Sequence, residues 1–194
     1  KINIKKDKVL AIGYDDKSRP QYIYDSKYTK RQSKTKFKKL INFGENYEKI
    51  YKKIKKDLSS KDNKTKEIAM ILMLIIDCNF RIGNHKYTRD NKSYGVSTLE
   101  KKHIYNESGE LVIDFIGKKG VRNKCIINNE KIKKKLTKKK NQLKKKSDKL
   151  FSYNRYGDVF HVYSNDVNEY LKILGNYSTK YFRTWNANIE FIKE

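Results

Sequence analysis

Ile68-Ala69-Met70-Ile71-Leu72-Met73-Leu74-Ile75-Ile76 is an apolar run without a polar interruption. Asp62-Asn63 ahead of it offers helix caps, so a helix is expected from Lys64 to about Asn79. A helix that is apolar all round must be covered on most sides. This segment is therefore expected to be the central helix of a packed domain, with the other elements arranged around it. Arg81-Ile82-Gly83-Asn84 follows directly as a polar turn, which gives Arg81 a rigid point of departure from the most buried element.

Upstream, the period is helical from Lys34 onward. Phe37, Leu40, Ile41, Tyr47, Ile50, Tyr51, Ile54 and Leu58 recur at helix spacing, with lysines on the other face. Residues 2–12 suit a short strand, and the stretch from Gly13 to Pro20 is rich in turn formers. Gln21-Tyr22-Ile23-Tyr24 suits an extended, aromatic strand, so this region is expected to be the tail of a small β lobe. Downstream, Leu111–Phe115 and Val121–Ile127 alternate like strands around Gly117-Lys118-Lys119-Gly120, which is the pattern of a β-hairpin with a lysine-bearing tip. The lysine-dense run 131–149 has only Ile132, Leu136 and Leu143 as apolar marks. It is expected to be a solvated helix or flexible linker, with direct contact to a polyanion as the alternative. Ser164-Asn165-Asp166 caps a helix running through Leu174 and ended by Gly175, and a last helix begins near Thr179.

Charge narrows the partners. Lys+Arg 47 against Asp+Glu 22 gives a formal net charge of +25 and a pI near 9.8. Such a chain repels itself and gains by meeting a polyanion that releases its counterions, so nucleic acid leads over an anionic membrane surface. Part of the lysine excess follows from a composition also rich in Ile and Asn. With 194 residues and 37% hydrophobic content, the chain can still bury a core. No stretch is long and apolar enough to span a bilayer, and no signal peptide is visible. The chain opens at Lys1 without Met, which points to a piece of something longer. Cys78, Cys125, His85, His103 and His161 have no zinc-site spacing. The cysteines are expected to be reduced, buried thiols of an intracellular protein.

Three cations suggest a chemistry. Moving a phosphodiester requires fixed positive charge where the pentacoordinate transition state gathers negative charge, and an arginine fork serves this well. A departing alkoxide needs a proton, which a lysine among other cations can donate. Arg81 leaves the central helix, Lys118 sits on the hairpin tip, and Arg183 opens the last helix beside Trp185. Singly, each has an ordinary surface reading, and their order along the chain is what gives them weight.

Six separated blocks carry a family resemblance: Gly13-Tyr14-Asp15 through Arg19-Pro20-Gln21-Tyr22-Ile23-Tyr24 with Lys36-Phe37 and Phe43-Gly44; Arg81-Ile82-Gly83-Asn84-His85-Lys86-Tyr87; Ser93-Tyr94-Gly95-Val96-Ser97-Thr98-Leu99; Phe115-Ile116-Gly117-Lys118-Lys119-Gly120; Ser164-Asn165-Asp166-Val167-Asn168; and Lys180-Tyr181-Phe182-Arg183-Thr184-Trp185. In this order they resemble type IB DNA topoisomerases of the short viral and bacterial kind. The resemblance implies an α+β fold, a mainly α-helical catalytic domain with a β-hairpin over residues 31–194, preceded by the end of an N-terminal β lobe and linker over residues 1–30. DNA is expected in a basic cleft between the two.

The resemblance also implies roles. Arg81 and Arg183 contact the scissile phosphate, Lys118 protonates the departing 5′ oxygen, and Lys180 and Asn188 assist. Gln21, Tyr22, Tyr24, Lys86 and Tyr87 contact DNA. It implies a monomer acting on double-stranded DNA inside the cell or virion, without metal or nucleotide cofactor. The family's histidine and nucleophilic tyrosine lie downstream of the Arg-Thr-Trp block, so the nucleophile is expected to be absent from residues 1–194. A tyrosine recombinase is the neighbouring alternative, but recombinases usually carry histidine where Lys180 stands. A non-catalytic basic nucleic-acid-binding protein would explain the charge but not the ordered blocks.

Overall fold

The computed structural model describes residues 8–16 and 18–194. The chain divides into two compact units, residues 1–45 and 46–194. This division and the boundary expected at 30/31 both fall within one continuous helix, α1 (Ser26–Asp57).

The first unit contains β1 (Val9–Tyr14) and β2 (Pro20–Tyr24), paired antiparallel with Ile12 opposite Tyr22 and Gly13 opposite Gln21. The strand expected over residues 2–12 thus continues to Tyr14, and its residues 2–7 lie outside the described ones. Asp15 closes the turn by accepting hydrogen bonds from the Arg19 backbone N–H at 3.0 Å and the Arg19 Nε at 2.7 Å. Helix α1 begins earlier than the apolar period does. Asp25 accepts a hydrogen bond from the Tyr28 N–H at 3.0 Å, which starts the helix before any apolar stripe is present. The buried apolar positions along it are Leu40, Phe43, Ile50 and Ile54, while Phe37 and Ile41 of the expected stripe are exposed.

The second unit is organised by α2 (Asn63–Cys78), where every residue from Glu67 to Ile75 is buried. Asp62 caps it by accepting from the Thr65 N–H at 2.7 Å. Around it lie α3 (His85–Asn91), α4 (Glu130–Gln142), α5 (Ser164–Gly175) and α6 (Thr179–Lys193). The fold is the mainly helical α+β arrangement expected. A three-stranded antiparallel sheet packs in the order β3 (Ile104–Glu107), β4 (Glu110–Ile116), β5 (Arg122–Ile126), and β6 (Ser152–Arg155) and β7 (Asp158–His161) form a separate hairpin. The expected hairpin is β4–β5, and β4 supplies Leu111, Val112, Ile113 and Phe115 to the core. β3, the short α3 and the β6–β7 pair lack a sequence pattern long enough to announce them.

The lysine-dense run 131–149 resolves into α4 as far as Gln142, and residues 143–149 continue outside any helix. Its Ile132 and Leu136, one turn apart, are its buried residues, and Lys139 reaches inward to Glu67 on α2 at 2.8 Å. Burial pushes the Glu67 carboxyl up, and the ammonium of Lys139 pulls against that. A second polar lock joins Tyr170 on α5 to Asp57 at the end of α1, with the phenol donating at 2.7 Å.

The cysteines are not free thiols. Cys78, the last residue of α2, is disulfide-bonded to Cys125 on β5, with the Cα atoms 5.9 Å apart. The expectation of reduced thiols rested on the absence of any local spacing signal, and a sequence separation of 47 residues hides such a pairing. Closing a loop of that size stabilises the fold by up to about 4 kcal/mol on chain-entropy grounds.

His103 is buried beside β4, its Nδ1 accepting the Glu100 N–H at 2.9 Å and its ring 4.3 Å from that of Tyr94. Burial, with Lys102 nearby, brings its pKa down to about 4 from the usual 6.5. The folded state therefore favours the neutral ring and the unfolded chain takes the proton first. The resulting stability is complete above pH 6.5 and is lost as pH falls from there through about 4. In urea unfolding at pH 7 and pH 4, His103→Gln should lose less stability on acidification than the wild type, by up to about 3 kcal/mol. Equal losses in the two proteins would refute the assignment.

Candidate active site

The C-terminal end of a helix leaves carbonyls that no helical N–H can reach. At the end of α2 these carbonyls, and the residues just beyond, are taken up by other elements. Asn79 adopts the left-handed conformation that stops the helix (φ 55°). Its carbonyl accepts a hydrogen bond from Arg183 Nε on α6 at 2.6 Å, and its side-chain oxygen accepts from the Asn186 amide at 2.7 Å. The same amide donates to the Ile76 carbonyl at 3.1 Å. Phe80 packs edge-on against Phe115 of β4, with ring centroids 4.9 Å apart. The Arg81 carbonyl accepts the Val96 N–H at 2.9 Å, and the Ile82 carbonyl accepts both the Ser97 N–H and hydroxyl at 2.8 Å.

The segment 94–97 thereby becomes a splint. At one end the Tyr94 N–H donates to the Ile116 carbonyl at the top of β4, and at the other Val96 and Ser97 hold the Arg81 turn. Two glycines let the backbones meet. A Cβ at Gly95 would lie 2.4 Å from the Gly83 nitrogen and 2.6 Å from the Arg81 carbonyl oxygen, and Gly83 itself has φ +87°. Neither glycine can carry a side chain without moving Arg81.

Arg81 and Arg183 are brought together. Arg183 is half-buried, and desolvation followed by repulsion from Arg81 holds its pKa down. With Nε spent on Asn79, the terminal nitrogens of Arg183 have no partner among the described residues, and neither does the guanidinium of Arg81. Among the described residues no carboxylate pairs with either, although most carboxylates of the second unit are engaged, such as Asp114 with Arg122, Glu100 with Lys102 and Lys149, and Asp166 with Lys64. Among the described residues, two guanidinium groups close enough to repel each other and without a carboxylate partner have the chemistry to receive an anion.

Lys118 is exposed in a single 3-10 turn at the hairpin tip, where Lys119 (φ 63°) and Gly120 (φ 75°) both take left-handed backbone. Gly117 N–H donates to the Val121 carbonyl at 2.8 Å and Gly120 N–H to that of Gly117 at 3.1 Å. The lysine is tied to the arginine pair through the 94–97 splint. Lys180 is exposed one turn before Arg183, and Asn188 turns its amide back to the Thr184 carbonyl at 2.7 Å. Asn84 caps α3 through the Lys86 N–H at 2.9 Å, which leaves Lys86 and Tyr87 exposed on the next positions. In the first unit, Tyr22 and Tyr24 stack at 6.1 Å and stay half exposed, and Gln21 donates to Asp15 at 3.3 Å. Among the described residues no cluster of three or more potential metal ligands occurs, and no helix is long and apolar enough to cross a membrane.

Sequence reading missed the holding residues, namely Asn79, Asn186 and Ser97. Asn79 and Asn186 were signalled only by proximity in sequence to the arginines and Ser97 only by its place in the 93–99 block, since each makes its contact across a long stretch of chain.

Residues 25–194 match the family profile for the eukaryotic DNA topoisomerase I catalytic core. The chain is 33% identical over 193 residues to DNA topoisomerase 1B of Acanthamoeba polyphaga mimivirus, covering 95% of this chain and 56% of that protein. It is 25% identical over 121 residues to DNA topoisomerase 1B of vaccinia virus, covering 62% of this chain and 38% of the relative. With DNA topoisomerase 1 of Mycosarcoma maydis the identity is 27% over 209 residues, 96% of this chain and 20% of the relative. The chain belongs to the type IB DNA topoisomerase family. It spans little more than half the length of the mimivirus relative and less of the other two.

Gly95→Ala should therefore destabilise the protein by about 2 kcal/mol or more in urea, since backbone rather than a flexible side chain blocks the new methyl. Gly13→Ala, which would meet nothing within 4 Å, serves as the control and should change little. Comparable costs for the two would show that the splint does not constrain the Arg81 turn.

Proposed function

We propose that this chain is the phosphate-holding part of a type IB DNA topoisomerase, which nicks one strand of duplex DNA through a 3′-phosphotyrosyl bond and reseals it. The observation that carries the reading is the uncompensated Arg81–Arg183 pair, fixed to the end of one buried helix. Each guanidinium presents N–H donors to non-bridging phosphate oxygens. Because Arg183 is held through its own Nε and Arg81 through its backbone before DNA arrives, the pair stabilises the pentacoordinate transition state with limited reorganisation. Lys118 donates its proton to the departing 5′ oxygen, and Lys180, one turn from Arg183, adds positive charge beside the phosphate.

The attacking tyrosine in this reading lies downstream of Trp185, outside residues 1–194. The covalent phosphotyrosyl bond conserves the energy of the phosphodiester, so resealing needs no nucleotide. Gln21, Tyr22 and Tyr24 on β2, with Lys86 and Tyr87 on α3, contact the duplex. Exposed tyrosines offer ring faces and hydroxyls, while lysine adds charge toward phosphates. The protein acts as a monomer wherever its DNA resides.

Residues 1–194 alone should bind duplex DNA with an affinity that falls roughly a thousandfold between about 50 and 200 mM salt. They should leave supercoiling unchanged, and relaxation by this stretch would mean that the nucleophile lies within it. The reading frame extended to the relatives' length should relax supercoiled plasmid in EDTA without ATP. Absence of relaxation there would sink the enzymatic reading.

In that longer protein, Arg81→Ala and Lys118→Ala should each slow single-turnover cleavage roughly a hundredfold or more, with DNA affinity nearly unchanged. Parallel losses of binding and cleavage would instead mark these residues as a plain binding surface.

A further inference from the structure

We infer that Cys78 and Cys125 are a reversible dithiol–disulfide site that clamps the Lys118 hairpin to the end of α2 when oxidised and releases it when reduced. The placement of the two cysteines carries this. Cys78 immediately precedes Asn79, whose carbonyl holds Arg183, and stands three residues before Arg81. Cys125 lies on β5, seven residues past Lys118 on the same hairpin. β5 is the edge strand of the β3-β4-β5 sheet, so its backbone pairs with β4 alone. Of its side chains, Arg122, Lys124 and Ile126 are exposed, and Asn123 and Cys125 turn inward. The disulfide is thus the covalent tie between the far strand of the hairpin and the helix that positions both arginines.

The remaining ties in this region are weaker and would survive reduction. Phe80 still packs on Phe115, and Tyr94 N–H still reaches Ile116, both on or next to β4 rather than β5. Reduction should loosen the tip without dismantling the domain. Both cysteines are partly exposed, so small thiols and disulfides can reach the sulfurs. In oxidation by a low-molecular-weight disulfide such as glutathione disulfide, one cysteine thiolate attacks a reagent sulfur, breaks the reagent S–S bond and expels one thiolate. The second cysteine thiolate then displaces the other reagent thiolate from the mixed disulfide. Two protons pass to the two released thiolates, the protein loses two electrons, and the reagent gains them. A dithiol reductant reverses the sequence.

The redox chemistry stands independently of the enzymatic reading, whereas its effect on catalysis rests on Lys118 as proton donor. The test equilibrates the chain with glutathione disulfide or with dithiothreitol, alkylates it under denaturing conditions, and measures mass, melting temperature and amide exchange. The oxidised chain should take up no alkylating groups and the reduced chain two. Reduction should lower the melting temperature by roughly 10 °C. It should also raise exchange at residues 117–121 roughly tenfold while leaving residues 67–75 protected. Cys125→Ser should resemble the reduced wild type in both media. If that variant does not fold, the reduced wild type supplies the comparison.

Two alkylatable thiols after oxidation, or identical hairpin exchange in the two states, would overturn the proposal. In the longer protein, cleavage should be roughly tenfold faster in the oxidised state. Equal cleavage rates would remove the coupling to Lys118 and leave the topoisomerase reading intact, whereas absent cleavage in both states would count against that reading alone.

Discussion

Nine consecutive buried residues make α2 an element that cannot move without exposing the core, and its last turn inherits that rigidity. A helix end in such a place has carbonyls to satisfy, and here α6 satisfies those of Ile76 and Asn79 through Asn186 and Arg183. The next residues continue the pattern. Cys78 reaches β5, Phe80 reaches β4, and the carbonyls of Arg81 and Ile82 reach the 95–97 segment. Five residues in a row thus bind four different parts of the chain. Apart from the disulfide, each contact is modest by itself, on the order of 1 kcal/mol for a hydrogen bond. Their value is geometric, because they fix the turn from several directions at once.

That joint explains how like charges are kept side by side. Arg81 and Arg183 repel each other, and the second is partly desolvated, so the pair costs folding energy that the buried core has to offset. Most carboxylates of the second unit are occupied elsewhere, often by lysines that are themselves half-buried, such as Lys139 and Lys149. The result is a chain whose positive charge is mostly solvated or paired, with unpaired guanidinium groups concentrated at the joint. A phosphate entering there would relieve the repulsion, which is the physical basis of the proposed phosphate contact.

Much of this was legible beforehand. The apolar run over 68–76 announced a central helix, and Asp62-Asn63 announced its start to within one residue. The alternation on either side of Gly117–Gly120 announced the hairpin, and Thr179 the last helix. Short elements were not legible. β3, β6 and β7 have four residues each, too few for a period to stand out, and they exist because neighbouring strands supply their hydrogen bonds. The lysine-dense α4 was ambiguous, since two buried residues decide it and the rest of its composition suits a linker equally well.

For the site, the sequence by itself determined that Arg81 follows the end of the central helix and that Lys118 stands on the hairpin tip, because helix and strand periods fix where chain segments stop. It also determined, through the order of its blocks, the family to which those cations belong. Tertiary structure alone decided that Arg183 spends one nitrogen on Asn79, that Gly83 and Gly95 touch, and that Cys78 and Cys125 are joined across 47 residues. These are contacts between positions distant along the chain. Local patterning records the burial and backbone preference of each residue separately, while the choice of partner is made only when the core closes.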